Sequence, residues 1–167
     1  MHQIPTTLVL FDIDLALYNA PGLHPDLERN MDEDAFYSPQ SFGDFGEPGF
    51  DQRWNLQTVI AARRALQSDD AYVVLLSSRP MQAEMLHTIS NMLLLAGLKF
   101  HEIRLKPITL HADTDLFKAM AVRKMLLEHQ NIRHVVMHDV DQGSMNAVAN
   151  AVGQMGRDFT PSQANLS

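Results

Sequence analysis

A chain of 167 residues suffices for one domain with a proper core and is short for two. Hydrophobic residues make up 46% and charged residues 20%, so a globular domain is expected, and no apolar stretch is long enough to span a membrane. The net charge of -7 argues against a broad grip on DNA or RNA, which takes clustered Lys and Arg; it leaves a nucleic-acid end open as a substrate. Without cysteine there are no disulfides and no thiolate metal sites, and the N-terminus lacks a basic leader and cleavage site, so a cytoplasmic location is expected.

The first element is a strand over residues 7–13. Its continuous apolar run suits a strand buried on both faces of a parallel sheet, and it ends in Asp12, Ile13 and Asp14. Carboxylates at the end of a buried strand are costly unless a cation meets them. Ligands of open α/β sheets bind beyond the carboxyl ends of the strands, so Asp12 and Asp14 read as a cation-assisted reaction centre. Residues 15–50 are irregular and rich in Pro and Gly, which predicts a lid over that centre. Phe36, Tyr37, Phe42, Phe45 and Phe50 would pack this insertion down or offer a stacking face.

A helix follows, N-capped by Asn55, with Val59, Ile60, Ala62 and Leu66 as its apolar stripe. A second buried strand over 72–76 delivers Ser77, Ser78, Arg79 and Pro80 to the same sheet edge. Pro80 then suits the first turn of a helix over 81–96 with Gly97 closing it, which would place the Ser77 hydroxyl and nearby amides at a helix start, a natural phosphate site. Residues 98–105 predict a partly polar edge strand, and 114–130 a helix capped by Asp113 or Thr114. A strand at 135–137 runs into His138, Asp139, Val140 and Asp141; a last helix covers 143–152, and the polar tail after Gly156 reads as loose. Asp141 is read equally as that helix's N-cap or as a partner behind the site. Strand and helix alternate, so the expected fold is α/β, a Rossmann-like parallel sheet with helices on both faces and a small lid insertion after the first strand.

Three strand ends thus converge, carrying Asp12 and Asp14, Ser77 to Arg79, and His138 to Asp141. Two carboxylates from separate strands repel unless a hard cation lies between them, and oxygen ligands without thiolates point to Mg²⁺. Phosphoryl transfer also needs a fixed positive charge, for which Lys106 and Lys118 are the candidates. A lysine on an amphipathic helix, as Lys118 is, stands in solvent by default.

The order strand–DxD, strand–Ser, Lys, strand–Asp resembles the haloacid dehalogenase (HAD) superfamily of phosphohydrolases. Residues 73–80 (VVLLSSRP), 104–107 (RLKP) and 114–118 (TDLFK) further resemble the HAD domain called Swiss Army Knife RNA repair-like. The resemblance runs from about Leu8 to Val148, outside the insertion, and implies a single HAD domain over 1–167. It implies that Asp12 is the nucleophile, that Asp14 is the general acid and base, and that Ser77 holds the phosphoryl group. Ser78 and Arg79 would shape the loop around the substrate, and Lys118 would neutralise the nucleophile and the phosphate. Lys106 stays a second candidate at the substrate. Asp139 would bind Mg²⁺ with Asp12 and the backbone carbonyl of Asp14. Ala16, Ser78 in place of Gly, and the His138–Asp141 motif depart from the family pattern. The implied activity is Mg²⁺-dependent phosphomonoester hydrolysis through an aspartyl-phosphate, on a phosphorylated small molecule, a nucleotide or a nucleic-acid end. The alternatives are a non-catalytic phospho-ligand binding module and a phosphotransferase.

Overall fold

The apolar run at 8–11 forms β1 (Thr7–Phe11), the middle strand of a sheet ordered β3-β2-β1-β4-β5 in which every neighbouring pair is parallel. The computed structural model describes residues 3–21 and 38–163. The other strands are β2 (Ala71–Pro80), β3 (Glu102–Lys106), β4 (His134–Asp139) and β5 (Asp158–Gln163). Four helices connect them: α1 (Leu56–Leu66), α2 (Ala83–Leu95), α3 (Thr114–Glu128) and α4 (Gln142–Gln154).

Side chains alternate along each strand, so one sheet builds two cores. Val9, Phe11, Val73 and Leu75 pack with Val59 of α1 and with Met85, Ile89 and Met92 of α2. Leu8, Leu10, Val74 and Leu76 pack on the opposite face with Phe117, Val122 and Met125 of α3 and with Met145 and Val148 of α4. The strand order reverses beside β1: the chain first builds outward through β2 and β3, then returns to lay β4 on the other side. The carboxyl ends of β1 and β4 therefore flank the crevice where doubly wound sheets hold their ligands. The register pairs Phe11 with His138, which brings Asp12 and Asp139 to the same level.

Two elements differ from the sequence expectation. β2 does not stop at Leu76 but runs to Pro80, because the amide of Met81 still reaches the Lys106 carbonyl at 2.7 Å. Helix α2 consequently starts at Ala83, and Ser77 sits in a strand rather than at a helix start. As far as Gln163 the tail after Gly156 is not loose: β5 pairs with β4 along its length. Pro161 tolerates this place because β5 is an edge, where a missing N–H leaves no ladder bond unmade. No helix among the described residues is long and apolar enough to cross a membrane.

The insertion expected over 15–50 falls partly on 22–37, including Phe36 and Tyr37, which lie outside the described residues. Its later part forms two short 3-10 turns, Pro39–Phe42 and Phe50–Arg53. Phe42 and Phe50 are buried against Tyr18, so these aromatics serve packing.

Asp141 N-caps α4, accepting from the amides of Gly143 at 2.9 Å and Ser144 at 3.4 Å. Asp141→Ala is expected to lower stability by about 1 kcal/mol in denaturant unfolding, with Asn at the same position retaining most of it. His138 lies flat on Phe11, with ring centroids 4.3 Å apart and planes within 3°. Burial pushes its imidazole down to about 4 from an ordinary value of 6.5. The unfolded chain thus takes up that proton first, and stability present above pH 6.5 drains away as the pH falls toward 4. Unfolding free energy should drop by roughly 1–2 kcal/mol between pH 7 and 5 on this account, and the slope should flatten in His138→Gln.

Candidate active site

Beyond Phe11 the ladder continues for one bond, from the Asp12 amide to the His138 carbonyl at 3.0 Å. The chain then curls tightly. The amides of Leu17 and Tyr18 both donate to the Ile13 carbonyl, at 3.1 and 2.9 Å, and the Leu15 amide donates to the Tyr18 carbonyl at 2.9 Å. Leu15 takes a φ of 60°, a left-handed conformation that costs a residue with a Cβ about 1–2 kcal/mol. Ile13, Leu17 and Tyr18 are fully buried and hold the curl in place. The two acids on either side of Ile13 consequently leave the strand in different surroundings.

Asp12 continues the face of Leu8 and Leu10, toward α3. Asp113 caps that helix through the Leu116 amide at 2.8 Å, and Phe117 anchors its first turns in the core. Lys118 follows and is buried rather than solvated, with 1% of its surface exposed. Its Nζ lies 2.7 Å from Oδ2 of Asp139 and 3.5 Å from Oδ2 of Asp12. Asp139 is fully buried, and its other oxygen accepts the Asp141 amide at 3.0 Å. The ammonium in contact with the strand-end acids is thus that of Lys118. Lys106 instead donates to the carbonyl of Ala112, closing the loop between β3 and α3.

Asp14 has a partner of its own. Arg79, fully buried, donates from Nε to Oδ2 at 2.9 Å and from Nη2 to Oδ1 at 2.7 Å, a two-pronged grip. A bulge in β2 aims it there: Ser77 pairs with Leu105 and Pro80 with Lys106, and Ser78 and Arg79 lie in the bulge between those two paired positions. Ser77 is buried, and its Oγ accepts the Arg79 amide at 3.2 Å. Ser78 is half-buried at the same bulge. The Asp14–Arg79 pairing escaped the sequence reading, although an arginine just past a buried apolar run is a signal in itself, since it must find an acid. Beside this cluster, Pro39, Gln40, Asp44, Phe45, Glu84 and Thr88 border an open cleft of about 260 Å³.

The charges do not balance among Asp12, Asp139 and Lys118. Two carboxylates face one ammonium, while Asp14 is matched by Arg79. Burial pushes the Asp12 carboxyl well above its usual range; Lys118 draws it back down, and Asp139 and Asp14 push it further up. Burial works against the charge on Lys118, yet Asp12 and Asp139 outweigh it and raise its pKa. Such a pocket favours additional positive charge, and its donors are hard oxygens, so the residues present fit Mg²⁺. Among the described residues no three His, Cys, Asp or Glu side chains gather into a complete metal cage. Mg²⁺ ordinarily takes one or two carboxylates and completes its shell with water and substrate oxygens.

A family profile described as HAD domain family 1 in Swiss Army Knife RNA repair proteins matches residues 27–166. That span carries Ser77, Arg79, Lys118 and Asp139 and begins beyond Asp12 and Asp14. No curated protein matches the chain. Among solved structures, a chain of the Pnkp1/Rnl/Hen1 RNA repair complex superposes with a TM-score of 0.61 at 13% identity, over 96% of this chain and 43% of that one. The Legionella pneumophila effector Ceg4 gives 0.60 at 13% identity, over 100% and 90% of the two chains. The HAD domain of the effector Lem4 from the same organism gives 0.59 at 14% identity, over 97% and 88%. Identities this low establish a shared fold, and the chain spans less than half the length of the RNA repair complex chains it matches. With the profile covering most of the sequence and the sheet order agreeing with a HAD-like α/β fold, the chain belongs to HAD domain family 1 of the Swiss Army Knife RNA repair proteins.

Proposed function

We propose that this chain is a Mg²⁺-dependent phosphomonoesterase that works through a covalent phosphate on Asp12. The observation that carries the reading is the contact of one buried ammonium, Lys118, with acids at the ends of two adjacent strands. In the first step an Asp12 oxygen attacks phosphorus, the bond from phosphorus to the leaving oxygen breaks, and Asp14 supplies the proton that oxygen needs. In the second, a water oxygen attacks the phosphoryl group, Asp14 takes a proton from that water, and the bond to Asp12 breaks. Lys118 stays charged throughout and offsets the negative charge gathering on the phosphoryl oxygens. Ser77, whose Oγ already accepts the Arg79 amide, retains its own O–H for a phosphoryl oxygen. Ser78 and Arg79 shape the bulge around it, and Lys106 holds the 107–112 loop at the rim.

Asp12, Asp139 and the backbone carbonyl of Asp14 would hold the Mg²⁺. When bound, it supplies charge neutralisation where nucleophile and phosphate meet. The chain is read as one domain, with the cleft beside Phe45 as room for the rest of the substrate. The family's association with RNA repair favours a phosphorylated nucleotide or nucleic-acid end as substrate, gripped locally in view of the chain's negative charge.

Asp12→Asn should abolish hydrolysis of p-nitrophenyl phosphate while circular dichroism and the melting temperature stay within the usual range of a surface change. Undiminished turnover in that variant would remove Asp12 from the chemistry. Stripping divalent ions with a chelator should stop the wild-type reaction and added Mg²⁺ should restore it; full turnover by metal-free protein refutes the metal's role. Comparing sugar phosphates, nucleotides and oligonucleotides phosphorylated at the 3′ or 5′ end then ranks the substrate classes.

A further inference from the structure

Among the described residues the Arg79 guanidinium has partners on two sides. On one side it grips Asp14; on the other, Nη1 donates to the Ser41 hydroxyl at 2.6 Å and lies 3.5 Å from the Ser38 carbonyl oxygen. The Phe42 ring lies against its face, 3.8 Å from Cζ to the ring centroid. Among the described residues these outer partners come from the turn at 38–42. Ser38 caps that turn through the Gln40 amide at 3.3 Å. Gly43 leaves it at a φ of 84°, where a Cβ would stand 2.5 Å from a nitrogen of Arg53. The turn is pinned a second time, since the Tyr18 hydroxyl donates to the Phe42 carbonyl at 2.8 Å. Tyr18 belongs to the same curl that carries Asp14. Asp14, Arg79, the 38–42 turn and Tyr18 therefore form a closed circuit of contacts.

We propose that the 38–42 turn sets the position of Asp14, with Ser41 and Phe42 acting through Arg79 as positioning residues for the water-activating step. The inference rests on the acid and base role given to Asp14 above. Arg79 is sealed from solvent, so its side chain acts on the reaction through the carboxylate it holds. An arginine gripped at its Nε edge alone can still swing about its long side chain; the Ser41 hydroxyl and the Phe42 face fix the other edge and the plane. With the guanidinium fixed, both Asp14 oxygens are fixed, and the oxygen that takes the proton from water stands at one place. A misplacement of about 1 Å in a reacting group can cost on the order of a hundredfold in rate.

Rapid-quench kinetics with p-nitrophenyl phosphate separate this from a structural role. Nitrophenolate leaves without needing a proton, so the burst reports phosphorylation of Asp12, and the steady state reports attack of water on the phosphoenzyme. In Ser41→Ala the burst should keep its wild-type rate, while the steady state slows about ten- to a hundredfold and acid-quenched phosphoprotein accumulates. Phe42→Leu, which keeps bulk and removes the aromatic face, should show the same split. Ser41→Thr, which returns the hydroxyl, should restore the steady state. Equal slowing of both phases, or a steady state unchanged in both Ser41→Ala and Phe42→Leu, overturns the proposal. A burst that survives in Asp12→Asn overturns the phosphatase reading, and this inference with it; a burst that depends on Asp12 but shows no split in the turn variants overturns the positioning role alone.

Discussion

Everything at the sheet edge depends on the Lys118 ammonium lodged between Asp139 and Asp12. Bringing three ionised groups out of water costs several kcal/mol for each, and hydrophobic side chains of similar volume commonly serve stability as well or better. Such a trio is therefore a poor way to hold a fold together. It does make sense as a device that keeps one ammonium beside two carboxylates with one negative charge left over. The fold makes it geometrically cheap: β1 and β4 are neighbours because the strand order reverses there, and the Phe11–His138 register sets Asp12 level with Asp139. Helix α3, buried through Phe117, Ala121, Val122 and Met125, then carries Lys118 in from the face both acids point to.

Elements that obey a local rule were legible in the chain. The runs at 8–11 and 73–76 are apolar without alternation, which is what a strand covered on both faces requires. Asp113 and Asn55 stand where a helix needs a cap, and both serve as one. The acids and the serine at strand ends could be named because a parallel sheet collects such ends on one edge. Features that depend on distant residues were not legible. Burial of Lys118 has no local signature: α3 has apolar residues all round, with Leu116 and Met120 exposed while Phe117 and Ala121 are not. The segment Ser77–Ser78–Arg79–Pro80 reads as a strand end passing into a helix, yet β3 lies alongside and keeps it extended with a bulge. β5 hid behind a proline, which an edge strand can carry.

The two acids of the Asp12–Ile13–Asp14 triplet, two residues apart, end up in opposite electrostatic situations. Asp12 shares one lysine with a third acid, and burial drives it toward holding a proton unless more positive charge arrives. Asp14 is bound at both oxygens by the Arg79 guanidinium. A lysine offers a point charge that two carboxylates can share, whereas the arginine fork fits a single carboxylate in one orientation. The two carboxylates, two residues apart in the chain, thus answer to different cations.

That division is held by the curl that follows β1. Had the chain stayed extended past Ile13, Asp14 would project from the end of β1 on the face of Asp12, adding a third carboxylate beside Lys118 and worsening the imbalance there. The left-handed φ at Leu15 turns the chain so that Ile13 accepts two amides and Tyr18 comes back under the curl. From there Tyr18 reaches Phe42, and Asp14 reaches Arg79. The cost of about 1–2 kcal/mol for a left-handed leucine is offset by burial of Ile13, Leu17 and Tyr18, each fully enclosed. A tight curl at a strand end, sustained by packing on one side, thus separates two carboxylates that the sequence places almost together.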